Sequence, residues 1–212
     1  MPKILKRTES HLKSAKDNGS LINIWRSVIH RRLSSVLNNA KEILFDDDSK
    51  FIFFSDSHRG DRGQNDAFAA NEPLFLRALN HYFNRGFIYV EVGDGDELWE
   101  NRRFRDVLQS HRPIFDLLHR FDLQDRLHLI LGNHDMSRRE NALRKDGIIL
   151  KEGLALRHRQ TGQRILVTHG HQADPASDWL APLSRLLVRH VWRYTQDWGL
   201  LRSVVSERSQ GV

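Results

Sequence analysis

Leu127–Asp135 reads LHLILGNHD. An apolar run of strand length gives way at once to Gly132-Asn133-His134-Asp135, so polar groups leave the carboxyl end of a buried strand. Open α/β sheets keep their sites there. The pattern recurs three times: FIFFS (51–55) before Asp56-Ser57-His58, FIYVEV (87–92) before Gly93-Asp94, and RILVT (164–168) before His169-Gly170-His171. Four such junctions, each delivering carboxylate, amide or imidazole to one edge, predict an α/β fold carrying a metal site.

Composition narrows the ligands. The 212 residues are 39% hydrophobic, enough for one domain with a full core, or one domain and an appendage. There is no cysteine, so a metal must be held by His, Asp, Glu or Asn, a donor set that suits Mn, Fe, Zn or Ni. The formal charge of +6 favours anionic partners, but 27 acidic residues are interspersed and no long basic block occurs. MPKILKRTES lacks the apolar core of a secretion signal, and no apolar run is long enough to span a membrane, so the expected location is the cytoplasm.

Three segments are expected. Residues 1–45 form a polar tail and an amphipathic helix, capped by Ser20 and running to about Leu44. Residues 46–175 form the core: Asp46-Asp47-Asp48 is a solvated turn, Phe51–Ser55 a central strand, Glu72–Arg85 a helix ended by Gly86, and Phe87–Val92 a second strand, making a βαβ unit. Trp99–Phe121 is helical, split or kinked at Pro113, with Arg102, Arg103 and Arg105 on a solvated face. Ser137–Asp146 is helical, and Gly147–His158 and Gln163–Thr168 are strands joined by a turn at Gln160-Thr161-Gly162. Residues 176–212 form an amphipathic helical tail, packed on the domain or acting as a lid or interfacial segment.

Asp56 and His58 can share one cation, and Asp94, with two carboxylate oxygens, can bridge it to a second. Asn133 offers a neutral carbonyl and His169 an imidazole to that second ion. Two cations about 3.5–4 Å apart clamp a phosphate and activate water at neutral pH. His134 is the candidate to protonate the leaving oxygen, with Asp135 holding its ring. His11, His30, His81, His111, His119, His128 and His158 have no place in the pattern and read as surface or helix-face residues.

Asp56-x-His58, Gly93-Asp94-x-x-Glu97, Gly132-Asn133-His134-Asp135 and His169 in THGH resemble successive motifs of the calcineurin-like metallophosphoesterases. The resemblance spans about residues 51–171 and is loosely nearest to the UDP-diacylglucosamine pyrophosphohydrolase branch. It implies a four-layer α/β/β/α sandwich, two divalent metal ions and hydrolysis of a phosphorylated small molecule, nucleotide or lipid-linked substrate. The family's last Gly-His-x-His motif has no counterpart after His171, which would leave each ion one ligand short and implies a chain lacking its C-terminal portion. A phosphate- or partner-binding protein without turnover is the second expectation. A nucleic-acid phosphodiesterase or binding module is the third, with Trp99 and Phe104 as candidates to stack a base.

Overall fold

The computed structural model describes residues 23–101, 103–136 and 150–174. Helix α1 covers residues 23–39 and is followed by strand β1, Lys41–Phe45. The helix therefore stops five residues before the expected Leu44. Asn38-Asn39 is a poor helical pair, and the Asn39 side chain turns back to donate to Ser35 O at 2.8 Å. Ile43, Leu44 and Phe45 then pair in parallel with Leu156–His158, a long-range partner that local periodicity cannot reveal.

Two sheets follow. The first holds β2 (Phe51–Phe54), β3 (Ile88–Val92), β4 (Leu127–Ile130) and β5 (Leu150–Lys151), in that order and all parallel. The second has order β1-β6-β7, with β6 (Leu154–His158) parallel to β1 and antiparallel to β7 (Arg164–Val167). The chain is thus of mixed α/β class. Two expectations are corrected. Strand β2 lies at the end of its four-stranded order rather than in the centre, and Phe53 is correspondingly 43% exposed. Residues 147–158 do not make one strand, because β5 and β6 belong to different sheets. The change of sheet falls at Glu152-Gly153, where a Cβ on Gly153 would come within 2.5 Å of Val36 Cγ1 of α1. The hairpin turn after β6 has Gly162 at φ +69°, in line with its sequence.

Helices α2 (Glu72–Asn84), α3 (Phe104–Ser110) and α4 (Arg112–Asp122) cover one face of the first sheet. The break between α3 and α4 at His111 agrees with Pro113, which occupies the first turn of α4, where its missing N–H costs nothing. Alternation along β3 separates two cores. Tyr89 packs with Leu79, Leu118, Phe121 and Leu129 under the helices, whereas Val90 packs with Ile130, Leu154 and Leu156, joining the two sheets. The helical segment expected at 137–146 and the tail at 176–212 lie outside the described residues.

Candidate metal centre

The pairing of β2 with β3 continues beyond both strands and sets the site. Asp56 N donates to Gly93 O (3.2 Å), His58 N to Asp94 O (2.9 Å), Arg59 N to Gly95 O (3.0 Å) and Glu97 N to Arg59 O (2.9 Å). Two loops of otherwise free backbone are thereby zipped together. Beneath them Arg59 is fully buried, forked onto Glu91 at 2.6 and 2.7 Å, with Nε on Asp96 at 2.8 Å; Tyr89 Oη also donates to Glu91. Burial opposes the guanidinium charge, but Asp96 and Glu91 outweigh it and hold the group protonated. Removing either side of such a pair would strand a buried charge, so the triad ties the loops in one geometry.

Asp56, His58 and Asp94 have φ of +54°, +48° and +49°, three of the five positive-φ non-glycine residues among those described. Left-handed backbone is disfavoured for L-residues and persists where surroundings over-determine it. Here it turns side chains of successive loops onto one point. His58 Nε2 lies 3.9 Å from Asp56 Oδ1 and 3.8 Å from Asp94 Oδ2, and His169 Nε2 lies 3.5 Å from each of those oxygens. Close approach depends on glycine. A Cβ on Gly93 would meet the His169 ring at 2.5 Å, and one on Gly132 would overlap the Asp94 carboxylate.

Among the described residues two groups of metal-competent atoms result, each within 4.8 Å: Asp56, Asp94 and His169, and His58, Asp94 and His134. Asp94 belongs to both. No family model, curated protein or solved structure matches the chain. The fit to a cation therefore rests on geometry. Nitrogen and oxygen ligands at about 2.0–2.2 Å from one ion lie roughly 3–4 Å from each other, the spacing found at Asp56, His58, Asp94 and His169. The residues fit.

Asn133 stands beside the cluster. Its neighbours Gly132 and His134 both reach Asp94, His134 N donating to Asp94 Oδ1 at 2.8 Å, while Asn133 O accepts from the Trp99 indole at 2.8 Å. Asp135 does not hold His134. Its oxygens accept from Gly132 N (2.7 Å) and from N of Gly95 (3.1 Å), where a Cβ would strike the Glu91 carboxylate. Burial first, and then the charge of Asp96, pushes its carboxyl up to about 7.

Glu97 takes the role expected of Asp135. Its Oε2 meets Nδ1 of both His134 (2.7 Å) and His58 (2.9 Å), and its Oε1 accepts from Trp99 N at 3.0 Å. Burial raises the Glu97 carboxyl, but the two histidines outweigh it and bring it to about 2. The bond to Glu97, against the opposing effect of burial, raises His58 in turn. The spacing Asp94-x-x-Glu97 is legible in the sequence, but the role of Glu97 is not, because only the folded loops bring His58 and His134 to its carboxylate. Trp99 lies flat against His134, centroids 4.0 Å apart and planes 13° from parallel, so this face is engaged in holding the imidazole rather than in stacking a base. Phe104 packs edge-on against Phe115 in the helical core, and Arg103 and Arg105 are exposed.

Several histidines read as surface residues are buried. His111 is wholly enclosed between Glu72 (2.6 Å) and Asp66 (2.8 Å), with Arg62 also on Glu72; His158 lies 3.2 Å from Asp47; and His128 is 7% exposed with Nδ1 unbonded. Polar partners from distant turns offset the burial of His111 and His158, and no local pattern marks any of the three. His171 sits behind His169, the two Nδ1 atoms 3.4 Å apart, on the side away from Asp94. Next to His58 and Glu97 opens a cleft of about 380 Å³, walled by the loops 60–66 and 97–101.

Proposed function

We propose that the chain is a metal-dependent phosphoesterase with a dinuclear centre, built on a four-layer α/β/β/α sandwich of which the two facing sheets and the layer α2–α4 are the described part. The observation that carries the reading is Asp94, whose carboxylate is common to two ligand groups formed by loops from both sheets. Asp56, Asp94 and His169 would hold one cation, and His58 with Asp94 the other, with Asn133 beside them. Bound divalent ions of the Mn, Fe, Zn or Ni type supply Lewis acidity and an activated water.

The chain's own groups then have separate tasks. His134 has Nδ1 engaged by Glu97, so Nε2 is the nitrogen left to carry a proton to the leaving oxygen. Trp99 and Glu97 keep that ring from turning, which preserves proximity without ordering cost at the moment of reaction. Asp135 fixes Gly95 and Gly132 so that their backbones stay close to the carboxylates. The substrate is a phosphoester whose alcohol portion occupies the cleft beside His58.

Elemental analysis of the purified chain, paired with hydrolysis of nitrophenyl phosphate and bis-nitrophenyl phosphate in the presence of Mn²⁺, tests the reading. Metal binding with turnover of either ester is expected. Bound metal without turnover of any ester would favour a phosphate-binding role, and no metal binding would refute the centre.

A further inference from the structure

Every side chain that lines the cleft among the described residues is polar: no aliphatic chain, phenyl or indole ring, lysine or arginine contributes. Asp61 and Glu100 supply carboxylates and Gln64, Asn65 and Asn101 supply carboxamides, with His58 and Glu97 connecting the cleft to the metal-ligand cluster. Its volume of about 380 Å³ falls in the range of small-molecule sites, which run from about 300 to 1,000 Å³. Asn101 is only 9% exposed, and its Nδ2 donates to Glu97 O at 2.8 Å, which holds its carboxamide in the wall of the cleft.

We infer that this cleft receives a hydroxyl-rich alcohol, a polyol or sugar, as the portion of the phosphoester that leaves; the inference rests on the phosphoesterase reading above. Carboxylates accept only, and carboxamides both donate and accept, so the wall matches groups that can do both. Hydroxyls replace the water they displace bond for bond. An alkyl chain or an aryl ring would strip water from the same groups and return nothing, so each polar atom it covered would go unpaired. A phosphate set against Asp61 would meet like charge.

Sorbitol 6-phosphate and hexyl phosphate isolate this feature, since both are primary six-carbon alkyl esters and differ in hydroxyls alone. With the whole chain and Mn²⁺, kcat/KM for the sorbitol ester is expected to exceed that for the hexyl ester by at least about 10-fold. The double variant Gln64→Ala, Asn65→Ala should bring the ratio close to one. Calorimetric binding of both esters to the metal-loaded chain supplies a second readout. Equal or greater turnover of hexyl phosphate overturns the cleft assignment and leaves the phosphoesterase reading intact. Tighter binding of the sorbitol ester with no hydrolysis of any ester overturns the phosphoesterase reading while the cleft stands. Neither binding nor turnover overturns both.

Discussion

Glu97 Oε2 stands 2.7 Å from Nδ1 of His134, and the same oxygen stands 2.9 Å from Nδ1 of His58. One atom thus orients two rings with different work to do. Glu97→Gln keeps the shape but offers a neutral amide in place of a shared charge. Loss of such a supporting carboxylate costs about 10–100-fold in metal affinity or activity. We expect kcat to fall in that range, with KM changed far less and the fold unaltered by circular dichroism. Glu97→Asp should recover part of the loss. Wild-type kcat in Glu97→Gln would deny the carboxylate any positioning role.

Asp94→Asn removes the one charge common to both ligand groups, whereas Asn133→Ala removes a neutral side chain at the margin. Elemental analysis after dialysis should find Asp94→Asn stripped of metal more completely than Asn133→Ala. Equal metal content in the two variants would remove Asp94 from its bridging place.

His134 lies close enough to His58 and Asp94 to be counted as a ligand, and its bond to Glu97 also suits a proton donor. Metal content separates the two. His134→Ala is expected to keep its metal and to lose about 10²–10⁴ in rate on alkyl esters, as for a general acid. The loss should be smaller on nitrophenyl phosphate, whose leaving group departs without a proton. Loss of metal instead would make His134 a ligand.

Acid stability has a separate source in His128, which points into the space between the sheets. Burial first, then Lys151 and Lys41, lowers its pKa to about 4. The unfolded chain takes up this proton near the ordinary value of 6.5, the folded chain only near 4. Its neutral form is therefore compatible with the fold at neutral pH, and stability is lost as pH falls from 6.5 towards 4. Urea midpoints measured at about pH 7.5, above that window, and at about pH 4.5, near its lower edge, should draw apart less in His128→Leu than in wild type. An identical pH response in the variant would exclude His128 as the sensor.

How much of this was legible beforehand depended on whether the cause was local. The strands before Asp56, Asp94 and Asn133 were readable because a buried parallel strand must be a continuous apolar run, and the loops after them because they begin with the residues that face the site. The split at Pro113 followed from a missing N–H. By contrast, Lys41–Leu44 continues the pattern of the preceding helix and yet forms a strand, because its pairing partner lies more than a hundred residues away. Gly147–His158 has the pattern of one strand, and a lone Gly153 does not by itself tell a bulge from a step between sheets. Glu97 rather than Asp135 holds His134 for a related reason: adjacency in sequence suggests one pairing, and the carboxylate that reaches His134 belongs to another loop. Burial of His111 between Glu72 and Asp66 likewise required three segments to meet.

The site takes His169 from beyond β7 in one sheet and Asp94 from beyond β3 in the other, with Gly93 bare to let them touch. A cation gripped between them is then a rivet through the two layers. By mass action, ligand at 100 times its dissociation constant stabilises the riveted state by about 2.7 kcal/mol. The reverse would also hold: the seam of Val90, Ile130, Leu154 and Leu156 sets the gauge between the halves of the grip, so that the affinity for a bound cation would report on how well the two layers are pressed together.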